Sequence, residues 1–95
     1  MIIIRESFIA KPGMAGKLAK MFKLAMKDMV GARVKVMTDM TGKFNQVILE
    51  TELDNLAAFD QRMKDYASNQ EFRDKMSSYT EMYTTGKREI FQVVE

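Results

Sequence analysis

The chain has 95 residues, 46% of them hydrophobic and 29% charged, which suits one domain spanning residues 1–95 with one thin core. Fifteen Lys and Arg against thirteen Asp and Glu leave a net charge of +2, too little to point to nucleic acid or an anionic membrane as partner. The absence of Cys, His and Trp excludes disulfides and thiolate chemistry and removes the commonest general base and transition-metal ligand, so no metal and no cofactor are expected.

The opening residues, MIIIRES, lack the basic start of a secretory signal, and no apolar run approaches the roughly 20 residues that span a bilayer. A cytoplasmic protein is expected. Residues 2 to 10, IIIRESFIA, read as a strand rich in β-branched and aromatic side chains, and Lys11-Pro12-Gly13 ends it. From Met14 to about Val30 the pattern is helical, with Met14, Leu18, Met21, Phe22, Ala25 and Met29 on one face and Gly31 as the stop. Lys17, Lys20, Lys23 and Lys27 take the other side. Such a basic helix can meet a membrane or a protein groove, but the spacing is that of a solvated face over a core stripe. The ten methionines admit two readings, a plastic binding surface or a methionine-rich core, and the core is expected.

Residues 32 to 39, ARVKVMTD, and 44 to 52, FNQVILETE, both alternate, with a turn at Met40-Thr41-Gly42-Lys43 between them. Pairing Asp39 with Phe44 predicts Val36 opposite Val47, Val34 opposite Leu49, Lys35 opposite Ile48 and Arg33 opposite Glu50. Apolar residues then meet on one face and opposite charges on the other. Asp54 is a predicted N-cap for a helix whose stripe is Leu56, Phe59, Met63, Tyr66 and Ala67. Ser68 and Glu71 spell a capping box for a further helix with Phe72, Met76, Tyr79 and Tyr83 at helical spacing, ended by Thr84-Thr85-Gly86. Residues 88 to 94, REIFQVV, form the last predicted strand.

The order strand, helix, strand, strand, helix, strand predicts an α+β, ferredoxin-like βαββαβ sandwich, a four-stranded antiparallel sheet with helices on one face. The other face holds Arg33, Lys35, Met37, Ile48 and Glu50, with Gln46, Ile3, Arg5 and Ile9. It mixes apolar groups with paired charges, which suits a homodimer formed sheet to sheet into an α/β barrel. The alternative for Glu50 and Glu52, a hard-cation site, wants more oxygen ligands than two carboxylates give.

GKFNQVILETELDNLAA, from Gly42 to Ala58, resembles a segment of NIPSNAP-type domains through Gly42, Asn45, Gln46, Val47, Leu56 and Ala57. FIAKPGMAGKL, from Phe8 to Leu18, resembles the exit from the first strand in the same family and in antibiotic-biosynthesis monooxygenase domains. Both belong to the dimeric α/β-barrel superfamily, and the element order fits across nearly the whole chain. Leu49, Thr51 and Leu53 stand where NIPSNAP domains tend to carry His, Trp and Tyr. The resemblance implies a fold and a homodimer, and no reaction.

Glu6 is the candidate of most chemical interest. In the phase set by Phe8 it points toward the helices, where a desolvated carboxylate has a raised pKa and can serve as a general base; the alternatives are the opposite phase or a pair with a lysine. Asn45 shares a side with Val47 and Leu49 and either meets a ligand or satisfies hairpin backbone, the commoner use. Tyr66, Tyr79 and Tyr83 bring amphipathic rings to a space between helices and sheet, as core packing or as pocket wall. No phosphate loop, dinucleotide fingerprint, nucleophile elbow or RNA-recognition motif is present. The expectation is a dimeric protein binding a small apolar ligand. A cofactor-independent monooxygenase for aromatic substrates is the alternative, and a haem binder without a His ligand the weakest reading.

Overall fold

The computed structural model describes residues 1–29 and 31–95. Four strands, β1 (Ile2–Ala10), β2 (Arg33–Thr38), β3 (Gln46–Leu53) and β4 (Tyr83–Gln92), form one antiparallel sheet in the order β2-β3-β1-β4. Helices α1 (Ala15–Met26), α2 (Leu56–Ser68) and α3 (Gln70–Lys75), followed by a 3₁₀ turn at Tyr79–Glu81, cover one face. This is the ferredoxin-like arrangement that the element order predicts.

Alternation along the strands sorts the two faces. Ile2, Ile4, Phe8 and Ala10 of β1 and Val47, Leu49, Thr51 and Leu53 of β3 are buried toward the helices. From α1, Leu18, Phe22, Ala25 and Met26 come down onto them at helical spacing. Phe22 stacks its ring at 5.1 Å from Phe8 and 6.2 Å from Tyr79, so one aromatic cluster ties α1, β1 and the 3₁₀ turn together. Helix α3 packs against both α1 and α2 and bridges them over the sheet.

The β2–β3 pairing keeps the predicted faces but sits two residues away from the predicted register. Val36 pairs with Leu49, Val34 with Thr51, Lys35 with Glu50 and Arg33 with Glu52. The cause lies in the connection. Asp39 lies opposite Gln46: its backbone N–H donates to the Gln46 carbonyl at 3.3 Å, and its side chain accepts from the Gln46 N–H at 3.0 Å. The loop is therefore longer than a tight turn and reverses through two left-handed residues, Gly42 (φ 100°) and Asn45 (φ 62°), types that tolerate that conformation. Because a two-residue slip preserves side-chain phase, opposite charges still lie across the ladder from one another, Lys35 from Glu50 and Arg33 from Glu52.

Element boundaries differ from the sequence expectation in several places. Asn55, not Asp54, caps α2, its side-chain oxygen accepting from the Ala58 N–H at 2.9 Å. Asn69, not Ser68, caps α3 by accepting from Phe72 N–H at 2.9 Å, so the Ser68–Glu71 capping box does not form. The last helix is also shorter than its apolar spacing implies. It ends at Lys75, and Tyr83, Thr84, Thr85 and Gly86 belong to β4. Gly86 lies opposite Phe8 in the β1–β4 ladder, where a Cβ would come within 3.3 Å of the Phe8 ring; the glycine is there for packing and does not stop a helix. Helix α1 ends at Met26, before Gly31, and the predicted terminus at Val30 lies outside the described residues.

Candidate functional site

Between α1 and α2, below the bridge made by α3, the helical layer leaves a cavity of about 220 Å³ against the sheet. Phe8, Phe22, Tyr66, Phe72 and Tyr79 supply aromatic rings to its wall. Met26, Met63 and Met76 supply thioethers, and Leu49 lies on the sheet side. Among the described residues, Glu6 and Arg88 are its charged lining groups. An adjoining hollow of about 300 Å³ shares Glu6, Phe8, Tyr79 and Arg88 and adds Tyr83, Gly86 and Lys87. The widening follows from the packing: α1 sits on β1, β2 and β3 and α2 on β3, while β4 meets the helical layer chiefly through the 3₁₀ turn and the contact of Arg88 with Phe59.

Glu6 faces the helices, in phase with Ile4 and Phe8. It is not a lone carboxylate, and its partner is not a lysine. Arg88, directly opposite on β4, donates from Nη2 at 3.0 Å and from Nε at 3.3 Å, both to Oε2 of Glu6. The guanidinium of Arg88 also lies 5.3 Å above the ring of Phe59, which limits where the arm can swing.

A second arginine lies deeper. Arg62 is 7% exposed, and with Glu6, Thr51 and Tyr66 it lines a narrow gap beside the cavity. Its Nε donates to the Tyr66 hydroxyl, its guanidinium stacks 5.2 Å from that ring, and the hydroxyl donates to Met26 Sδ at 3.4 Å. Phe72 stacks on the other part of this assembly, its ring nearly parallel to Tyr66 at 4.3 Å. Burial pushes the Tyr66 hydroxyl above its ordinary pKa, against the downward pull of Arg62. Burial also raises Tyr79, with Tyr83 and Glu6 adding to the shift and Arg88 opposing it.

Glu6, Tyr66 and Tyr79 thus meet at one cavity, and Tyr83 stands at the adjoining hollow, from a strand and not from the predicted helix. Asn45 is elsewhere. It belongs to the β2–β3 loop, its carbonyl accepts from the Ala10 N–H at 2.8 Å, and it does not line the cavity. The sequence reading did not single out Arg62 or Arg88. Arg62 carried a signal, since it falls on the face of α2 shared by Phe59, Met63 and Tyr66. Leu56, predicted for that stripe, is 60% exposed.

On the opposite face Arg5 donates to Glu50 through Nε at 3.0 Å and Nη2 at 2.9 Å, and its guanidinium lies 5.3 Å from the ring of Phe91. Arg33, Lys35, Met37 and Ile48 share this side, since Val34, Val36, Val47 and Leu49 face the helices. Among the described residues, no group of three or more His, Cys, Asp or Glu side chains is placed to hold a metal ion.

No family model matches the sequence, and no curated protein matches it. Solved structures do match. A NIPSNAP domain protein from Burkholderia xenovorans superposes with a TM-score of 0.84 at 11% identity, over 99% of this chain and 95% of its own. A NIPSNAP family protein from Agrobacterium tumefaciens gives 0.83 at 12% identity, over 99% and 93%. An antibiotic biosynthesis monooxygenase gives 0.75 at 11% identity, over the full length of both chains. The chain has the fold of these proteins. That NIPSNAP-type fold accounts for the strand order and the one-sided helical layer; the Glu6–Arg88 pair and the thioether wall belong to this chain's own residues. Among the described residues, no helix is long and apolar enough to cross a membrane.

Proposed function

We propose that this chain is a NIPSNAP-like domain that works as a homodimer and binds a small apolar ligand between its sheet and helices. The observation that carries the reading is the cavity of about 220 Å³ walled by five aromatic rings and three methionines. A dry cavity of about 150 Å³ is enough to hold benzene, so this one has room for a one- or two-ring molecule. Methionine suits such a wall because its unbranched thioether adapts to the shape it meets. The homodimer rests on the uncovered sheet face. Ile3, Ile9, Met37, Ile48 and Phe91 share that side with the Arg5–Glu50 pair, and among the described residues the helices lie on the other face. An identical copy would remove that apolar surface from water.

The experiment is a thermal-shift and titration series with indole, toluene and short-chain alcohols. Saturable binding of indole or toluene supports the reading, and a flat response across the whole series contradicts it. A second reading, cofactor-independent oxygenation of a phenolic aromatic, draws on one feature: the Glu6 carboxylate faces a ring-lined space beside Tyr79. Oxygen uptake with dihydroxynaphthalenes, lost in Glu6→Gln, would favour this enzyme over simple binding.

A further inference from the structure

We propose that the cavity selects an anionic amphiphile, with its apolar body among the rings and methionines and its carboxylate or similar anionic head against Arg88. The inference rests on the cavity being a binding site and adds the charge class of what it holds.

Three observations carry it. The first is the charge balance. Among the described residues, the groups bordering the cavity and its narrow extension are one carboxylate, Glu6, and two guanidinium groups, Arg62 and Arg88, with Lys87 at the adjoining hollow. Glu6 is already held by Arg88, so a cationic head would compete with that guanidinium for the carboxylate, while an anionic head would meet Arg88 itself.

The second is how Arg88 is used. Both of its bonds to Glu6 converge on a single oxygen, Oε2, so the pair is not the two-oxygen fork that guanidinium and carboxylate form at their strongest. A guanidinium has five N–H donors. Those left over at Arg88 are available to a second anion, because its side chain is 47% exposed. The third is position. Arg88 lines both the cavity and the hollow beside it, and Phe59 under its guanidinium holds it there. A molecule with its body in the cavity would have its head at this junction, where a charged group keeps part of its hydration.

The test compares cinnamate with its uncharged isostere cinnamamide by isothermal titration. The wild-type protein is expected to bind cinnamate about tenfold to a hundredfold more tightly, the worth of one charge-assisted hydrogen-bonded contact. Arg88→Gln should erase that preference, so that cinnamate and cinnamamide bind the variant with equal affinity. Glu6→Gln should tighten cinnamate by freeing Arg88 from its partner. Equal affinities in the wild type, or tighter binding of the amide, overturn the proposal while leaving the cavity reading standing. Binding of neither compound removes both. The two-ligand comparison and its loss with added salt are read on the wild type alone, so the proposal is decided even where a variant does not fold.

Discussion

Phe22→Ala tests the packing and the cavity together. Phe22 is 1% exposed and stands between the Phe8 and Tyr79 rings on the cavity wall. Truncating a buried phenylalanine costs about 3–5 kcal/mol, the upper end applying where the surroundings cannot collapse into the space. Here the vacated volume merges with an existing cavity, so collapse is poor and a loss of about 4 kcal/mol is expected. A domain of this length has roughly 5–14 kcal/mol to lose. With a urea m-value of about 1.5 kcal/mol/M, the unfolding midpoint should fall by about 2 M or more, measured by circular dichroism at fixed protein concentration. An aromatic that fills the enlarged space should restore part of the loss: indole at a hundred times its Kd returns about 2.7 kcal/mol. Leu24→Ala, on the same helix but 59% exposed, should stay within about 0.5 kcal/mol. A loss below about 1.5 kcal/mol for Phe22→Ala, or a loss equal to that of Leu24→Ala, would refute the reasoning.

Other outcomes follow from the same geometry. Gly86→Ala would ordinarily stabilise a strand by about 0.5–1 kcal/mol, but its new Cβ meets the Phe8 ring at 3.3 Å, and that ring is fixed by Phe22 and Tyr83 at 5.1 and 4.9 Å. A net loss of about 1 kcal/mol is expected, and a gain in urea midpoint would show that the ring gives way. Tyr66 and Tyr79 both hold their protons to higher pH in the folded state than in the unfolded chain. Their contribution is therefore whole below about pH 10 and declines as the pH rises through their folded values. In Tyr66→Phe the fall of the urea midpoint above pH 10 should be shallower than in the wild type; an unchanged slope would contradict this. Glu50→Lys would set three cations together with Arg5 and Lys35, and sedimentation should change from twice 11.0 kDa to 11.0 kDa. A variant that still sediments as a pair would count against the sheet-face dimer.

The sequence made the fold legible because period and phase carry it. The alternation of Val34 and Val36, and of Val47, Leu49 and Thr51, assigns the two faces whatever the register. The register itself depends on the Gly42–Asn45 loop, whose left-handed residues permit several lengths, and so the predicted pairing is off by two positions. The spacing of Phe72, Met76, Tyr79 and Tyr83 is helical, yet these residues pack on one cluster from a helix, a 3₁₀ turn and a strand, because a curved path can present the same side as a helix. At the site, the inward phase of Glu6 could be read from Phe8. Its partner could not, since the Arg88 pairing is set by the β1–β4 register across 82 residues of chain. Arg62 was hidden by its type: a charged residue on an apolar stripe reads as an interruption until its stacking on Tyr66 is known.

The cavity as a binding site is tested most directly by the methionine methyl resonances, ten natural reporters spread through the chain. In a carbon–proton NMR titration with indole, the methyls of Met26, Met63 and Met76 should shift together and saturate, while that of Met40, 97% exposed on the β2–β3 loop, stays in place. Shifts at Met40 equal to those at the cavity methyls, or no shift at any of the three, would contradict a ligand site between sheet and helices.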